Sequence, residues 1–388
     1  MSADLDTNLF RPLKVGRIEI KQRIAMGPLT RVRCNNKGAV PNDLMVEYYE
    51  QRASSPGTLI ISEATFITPR AGGFRNVPGI WSKEQIEGWK KVTSAVHAKG
   101  SFIYMQLWAL GRAAGYDYLT KELGYDYVSS SNVPDLTNSA GPLTKEKGKH
   151  IPRPLTIAEI KQYVKDYAQA AKNAIEAGFD GIEIHSANGY ILDQFIRHTA
   201  NKRTDEYGGS VENRARFTLE VVDAIVAAIG ADRTAIRLSP FEKFGGMSIT
   251  HNSIPQFSYL IEQLELRGLA DGGKNRLAYI HIVENIVRGK DSKGNGTILH
   301  PIEFVRYIWT GVWIRTQGYK RQTAIDAADK DDKVIIGFGK GFIANPDLVR
   351  RLRENLPWNQ WDIDTFYTLG PKGYVDYPFY SDSSKAKL

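Results

Sequence analysis

The 388-residue chain has a single cysteine, Cys34, so it cannot build an internal disulfide framework, and this suits a reducing compartment. Cys34 is flanked by Arg33, Asn35 and Asn36 and reads as a free thiol beside a loop rather than a nucleophile. No apolar run approaches the ~20 residues of a membrane span. The polar stretch Met1–Phe10 also lacks the apolar core of a secretory leader. A cytoplasmic protein with no membrane partner is therefore expected. The histidines show no ligand spacing of the His-Glu-x-x-His kind, so no metal is expected, and no Gly-x-Ser-x-Gly elbow is present. The net charge of +8 is spread along the chain without a dense basic block interleaved with aromatics, which argues against a nucleic-acid partner. The polar tail 381–388 ends Ala386-Lys387-Leu388, a conservative variant of the peroxisomal Ser-Lys-Leu address, and peroxisomal import is the alternative localisation.

What the chain does have is rhythm. Short apolar runs rich in β-formers recur at Ile24–Met26, Leu59–Ile61, Phe102–Leu107, Gly181–Ile184, Ala235–Leu238, Tyr279–Val283, Val312–Ile314 and Val334–Ile336, as buried parallel strands should. Helical patterns lie between them. Thr156 with Glu159 is a capping box before Ile160, Val164, Tyr167, Ala168, Ala171 and Ile175, and Gly178 closes that segment. Ser82 with Gln85 opens another helix, which Gly100 ends. Asn345-Pro346-Asp347 reads as N-cap, N1 proline and first-turn acid. Strand–helix alternation repeated eight times predicts a single α/β domain over 1–388, a (β/α)8 TIM barrel. Leu13 to Ile24 alternates around Gly16 and predicts a hairpin at the barrel floor. The aperiodic stretches 110–155 and 284–300 follow strands three and six and predict long rim loops acting as lids.

Polar residues crowd the predicted strand ends: Pro28-Leu29-Thr30, Glu63-Ala64-Thr65, Gln106 and Trp108, Glu183, His185, Asn188 and Tyr190, and Arg237. That rim is where barrel enzymes keep their chemistry. Glu183 and His185 share a strand face because side chains alternate, which turns Ile182 and Ile184 outward. A His and an Asn together supply two donors to one oxygen, as an oxyanion hole does. A tyrosine hydroxyl can protonate a carbanion-like carbon. Strands seven and eight end Thr316-Gln317-Gly318-Tyr319-Lys320-Arg321 and Gly337-Phe338-Gly339-Lys340-Gly341, where barrels frequently hold a phosphate. The spacing is not Gly-x-Gly-x-x-Gly, so a mononucleotide phosphate is expected rather than a Rossmann site.

The stretches Glu183–Phe195 and Asn201–Phe217, with Gly27–Arg31, Pro56–Thr58, Pro78–Trp81, Gln106–Trp108, Arg237–Pro240, Asn345–Leu348 and Gly373–Pro378, resemble the old yellow enzyme family of flavin ene-reductases, in order along about nine-tenths of the chain. The resemblance implies bound FMN, reduced by NADPH, that passes hydride to the β-carbon of an α,β-unsaturated carbonyl or nitroalkene. It implies that His185 and Asn188 grip the carbonyl oxygen and Tyr190 protonates the α-carbon. By the same pattern Pro28, Leu29, Thr30, Ala64, Gln106, Arg237, Gly318, Tyr319, Gly339 and Lys340 hold FMN, and Trp108, Phe74 and Tyr367 shape the substrate pocket. Thr30, where thermophilic-type relatives tend to carry Cys, suggests the fungal and plant branch. Three positions depart from the pattern: Lys340 replaces the usual Arg, Gly341 a bulky residue, and Gln317 a small one. These departures predict weaker FMN binding, because lysine lacks arginine's fork.

Other readings stay open: a flavin reductase or isomerase serving one specialised pathway, a barrel hydrolase using Glu63 and Glu183 as paired acids, and a binding protein exploiting the basic surface. Tyr190 argues against a pure isomerase. The sequence admits a monomer or a homodimer.

Overall fold

The computed structural model describes residues 6–137, 150–284, 286–287, 298–299 and 302–381. Its eight central strands are β1 (Ile24–Met26), β2 (Leu59–Ile61), β3 (Phe102–Trp108), β4 (Gly181–Ser186), β5 (Thr234–Leu238), β6 (Tyr279–Val283), β7 (Trp313–Thr316) and β8 (Val334–Phe338). Each pairs in parallel with the next, and β8 returns to β1 with Ile336 opposite Ile24. The sheet is thus a closed barrel without edges. The predicted strands are all present, and β3, β4, β7 and β8 run one or two residues further toward the mouth. The apolar run stops where polar side chains such as His185 and Thr316 begin, but backbone pairing continues past them.

Helices α1 (Asp43–Arg52), α2 (Lys83–Ala98), α3 (Ile157–Glu176), α4 (Val211–Ile229), α5 (Ser253–Leu269), α6 (Glu303–Ile308), α7 (Arg321–Lys330) and α8 (Leu348–Glu354) form the outer layer. Ile182, Ile184, Ile236 and Ile280 face them and share a core with Tyr163, Tyr167, Phe217 and Val221. Both capping boxes form. In α3 the buried stripe is Ile160, Tyr163, Tyr167, Ala170, Ala171 and Ala174, rotated from the predicted one so that Val164, Ala168 and Ile175 are half-buried. Asn345 does not cap α8: Asp347 occupies that position, and the Asn345 carboxamide bonds the Gly341 carbonyl and the Asn359 amide instead. Asp347 is drawn away from the helix end by Arg351 at 2.7 Å.

The barrel interior is layered. Leu13–Val15 and Ile18–Ile20 form the predicted antiparallel hairpin. Its turn needs Gly16 at φ +54°, where a Cβ would lie 2.0 Å from the Asp232 carbonyl oxygen. Val15, Ile18 and Ile20 plug the floor against Ala25, Leu59, Ile61, Tyr104, Ala235, Ile314 and Ile335. Above this apolar layer sits a polar one, Gln106, Glu183, His281 and Thr316, and above that the mouth opens.

The stretch expected as a lid over 110–155 carries short structure: a turn at Gly111–Ala113, a π-helical turn at Tyr118–Glu122, and Val128–Ser129 paired with Arg153–Pro154. Residues 138–149 of that stretch, most of the expected lid 284–300, and the Ala386-Lys387-Leu388 address lie outside the described residues. No helix among the described residues is long and apolar enough to cross a membrane.

The α3 capping box carries a prediction. Thr156→Ala should cost about 1 kcal/mol, read as a lower urea midpoint at unchanged slope, while Thr156→Ser should hold the parental midpoint. Equal midpoints for the alanine variant and the parent would show that the cap contributes nothing.

Candidate active site

The mouth holds a cavity of about 1050 Å³. Its lining includes Pro28, Leu29 and Thr30 after β1, Ala64 after β2, Gln106 and Trp108 on β3, His185, Asn188 and Tyr190 on and after β4, Arg237 on β5, and Lys340 after β8. Phe74 and Tyr367 complete the predicted set. Thirteen of the sixteen predicted site residues therefore converge on one space, and Gly318, Tyr319 and Gly339 lie off its lining. Tyr319 donates its hydroxyl to Glu284 at 2.6 Å, and Arg315 pairs with the same carboxylate, so that ring is held toward the end of β6.

The loop after β4 is fixed by a dense set of bonds. Asn188 takes a left-handed φ of +55° and its N–H donates to the Ser239 hydroxyl at 2.8 Å. The Gly189 N–H donates to Asp193, whose buried carboxylate pairs with Arg197. Gln194 donates to the Gly189 and Leu110 carbonyls. A Cβ on Gly189 would meet the Gly245 Cα at 2.6 Å, so this crossing of two loops requires glycine. The result is rigid placement of three rings. Tyr190 stands edge-on to Trp108 at 4.7 Å and to His185 at 4.9 Å between centroids.

Electrostatics set the proton inventory. Burial pushes His185 well below its ordinary value, and Arg237 and His281 add to the effect, so its imidazole is neutral. Its Nδ1 has no partner among the described residues. Burial raises the Tyr190 phenol and Tyr367 adds to the rise, so Tyr190 keeps its proton through the neutral range. Arg237 sits deep, and the surface it exposes belongs to the cavity. Its Nε has no partner among the described residues. Cys34 is buried and its thiol is pushed up, chiefly by that burial, so it is no nucleophile.

Several lining residues carry no signal in the sequence pattern, among them Lys243 and Phe244 in the loop after β5 and Phe366 near the C-terminus. Arg31, at the end of the Gly27–Arg31 stretch, donates to the Phe366 and Gly373 carbonyls at 3.1 and 2.7 Å, pinning the C-terminal segment over the mouth. Arg33 adds bonds to Thr365, Gly370 and Lys372. This pinning brings Tyr367 to the cavity.

The paired-acid hydrolase reading is not supported, because neither Glu63 nor Glu183 lines the cavity. Glu183 lies in the polar layer below it, and Glu63 is buried against Tyr49. Among the described residues no cluster of His, Cys, Asp and Glu could hold a metal.

A closed barrel whose roomy mouth is lined by residues carrying donors without partners among the described residues defines a cofactor-dependent barrel enzyme. Residues 8–359 match the NADH:flavin oxidoreductase / NADH oxidase family. The chain is 47% identical to Enoate reductase 1 of Kluyveromyces lactis, over 97% of this chain and 95% of that protein. It is 48% identical to a chanoclavine-I aldehyde reductase of Penicillium roqueforti, over 98% of each. Its fold superposes on Old Yellow Enzyme from Pichia sp. AKU4542 with a TM-score of 0.85 at 42% identity, covering 97% of this chain and 95% of that one. The chain belongs to the NADH:flavin oxidoreductase / NADH oxidase family of FMN enzymes, the old yellow enzymes.

The residues present fit FMN. The orphaned Arg237 Nε is a buried donor that wants an anion or carbonyl, Gln106 offers an amide edge, and Lys340 gives a cation at the rim. Gly341 leaves room that a side chain would take up against Leu348 and Trp358, at 3.1 and 3.3 Å from its Cβ.

Glu63 supplies a pH prediction. Burial raises its carboxyl from 4.5 to about 7, against the pull of Arg31 and Arg33. A folded value above the unfolded one means that its contribution to stability is intact below pH 4.5 and lost as pH rises through 7. Glu63→Gln should therefore be more stable than the parent at pH 8.5, by up to roughly 3 kcal/mol, with the gap closing toward pH 5. Urea midpoints that track in parallel across that range would contradict the assignment.

Proposed function

We propose that the protein is an FMN-dependent ene-reductase that oxidises NADPH and reduces α,β-unsaturated carbonyls or nitroalkenes. The observation that carries this reading is the convergence of neutral His185, Asn188 and protonated Tyr190 on one cavity. When bound, FMN supplies the hydride relay from the nicotinamide to the substrate's β-carbon. His185 and Asn188 offer N–H donors to the substrate's carbonyl oxygen, where negative charge develops. Because His185 is neutral, it polarises that oxygen without giving up a proton. Tyr190 gives its hydroxyl proton to the α-carbon. Trp108 holds the Tyr190 ring edge-on. Gln106 and Arg237 would hold the flavin's polar edge and Lys340 its phosphate. Among the described lining residues Arg31, Arg237, Lys243 and Lys340 outweigh the carboxylate Asp364, and this positive balance favours a phosphorylated nicotinamide.

A narrower reading of the substrate draws on the Penicillium relative, named as a chanoclavine-I aldehyde reductase: an unsaturated aldehyde of similar bulk. Retention of Tyr190 favours reduction over isomerisation in that case too. A turnover panel of enals, enones, maleimides and nitroalkenes with each nicotinamide separates the two.

The mechanism is tested by half-reactions. Tyr190→Phe should slow the alkene step by 100-fold or more, within the ~10²–10⁴ range of general acid catalysis, and leave flavin reduction by NADPH within about twofold of the parent. Equal slowing of both would remove Tyr190 from its role. For the phosphate, Lys340→Arg should tighten FMN binding about tenfold, the effect of one added charge-assisted hydrogen bond. Titration of apoprotein with FMN reads it, and unchanged or weaker binding would show that Lys340 does not meet the phosphate.

A further inference from the structure

The polar layer beneath the mouth contains a carboxylate that the proposed mechanism does not use. Glu183 is fully buried on the barrel axis side of β4 and touches no part of the cavity. Three donors converge on it. Gln106 Nε2 reaches Oε1 at 2.7 Å, His281 Nδ1 reaches Oε2 at 2.8 Å, and the Tyr279 hydroxyl reaches Oε2 at 3.1 Å. His281 Nε2 in turn meets the Thr316 hydroxyl at 3.1 Å, so the chain of bonds crosses the barrel from β3 to β7.

An ionised carboxylate accepts and never donates. It therefore dictates the polarity of everything that touches it. Gln106 must turn its NH₂ toward Glu183, which leaves the carboxamide oxygen and the second N–H as the groups it can offer to the cavity that it lines. An acceptor beside a donor is the complement of a ring amide. His281 must carry its proton on Nδ1 and accept on Nε2. Arg237, the deep cation of the mouth, makes no ion pair with a carboxylate among the described residues, and Glu183 is the strongest negative charge acting on it. Burial alone would raise the Glu183 carboxyl, but His281, Arg237 and Gln106 outweigh it and hold it below the usual range, so the charge is present at neutral pH.

We propose that Glu183 is a positioning residue that fixes the amide of Gln106 and, by balancing Arg237 from below, sets the electron affinity of the flavin held in the mouth. The proposal rests on the FMN reading above. Electrons added at the mouth are favoured by Arg237 and opposed by Glu183, so a neutral side chain at 183 makes the flavin easier to reduce. A neutral amide there also releases Gln106 to flip, which weakens its grip.

The experiment compares holoenzyme and apoprotein of the parent, Glu183→Gln, Tyr279→Phe, Gln106→Ala and the double variant E183Q/Q106A. FMN affinity comes from apoprotein titration and the midpoint potential from equilibration with a reference dye at pH 8. The expected results are a more positive potential and roughly tenfold weaker FMN binding for Glu183→Gln. In the Gln106→Ala background, E183Q should weaken FMN less than twofold further, because the amide it positions is gone. Tyr279→Phe removes one donor, leaves the charge less neutralised, and should move the potential the opposite way; it serves alone if Glu183→Gln does not fold. Potentials unchanged in folded variants, or affinity losses that simply multiply in the double variant, would overturn the proposal and leave the FMN reading standing. A parent protein that binds no FMN would overturn both.

Discussion

Period-two alternation along β4 is the constraint from which the mouth is built. In a closed parallel barrel, residues 181, 183 and 185 must face the axis, whatever their polarity. Glycine at 181 yields to the Tyr104 ring, which would lie 2.5 Å from a Cβ there. Glu183 and His185 then stand one above the other, and a buried carboxylate needs donors. Gln106, Tyr279 and His281 supply them from β3 and β6. The same stacking sets the chemistry above. His185 next to Arg237, with no carboxylate among the described residues bonded to either of its ring nitrogens, stays neutral. The carboxylate below and the donors above therefore belong to one column of side chains.

A second requirement comes from the segments that close the mouth. Loops carry carbonyls that need partners when buried. Buried arginines provide them. Arg31 and Arg33 bond carbonyls of residues 365–373, and Arg52 bonds those of Phe342, Ile343 and Tyr374 while stacking on the Tyr48 ring at 3.9 Å. A guanidinium presents five donors in a fixed fork, so each of these residues can hold several strands of loop at once. The C-terminal segment becomes part of the active-site wall, although more than 300 residues separate it in sequence from Arg31 and Arg52.

The eight strands were legible because each is apolar on both faces near the floor, where interior and helix layer are both dry. Catalytic residues were legible because polar side chains break that pattern at strand ends, and because the Glu183–Tyr190 stretch carries the family resemblance. What escaped is what depends on distant partners. The roles of Arg31 and Arg33 require knowing where residues 365–373 return. Lys243 and Phe244 sit in a loop without period, and they reach the cavity only because Gly245 crosses Gly189. Asn345 has a capping residue's chemistry, but Asn359 competes for it, and a local motif cannot reveal that competitor. The partner of the Tyr319 hydroxyl, Glu284, likewise lies 35 residues away in sequence and has no local signal.

The account stands or falls on whether the cavity holds a flavin that relays electrons between two substrates. Anaerobic titration of the FMN-loaded protein tests this in one cuvette. The account predicts that one equivalent of NADPH bleaches the flavin absorbance and that one equivalent of an enone then restores it fully. A flavin that bleaches but stays bleached with every unsaturated carbonyl and nitroalkene offered, or a protein that takes up no FMN, would contradict it.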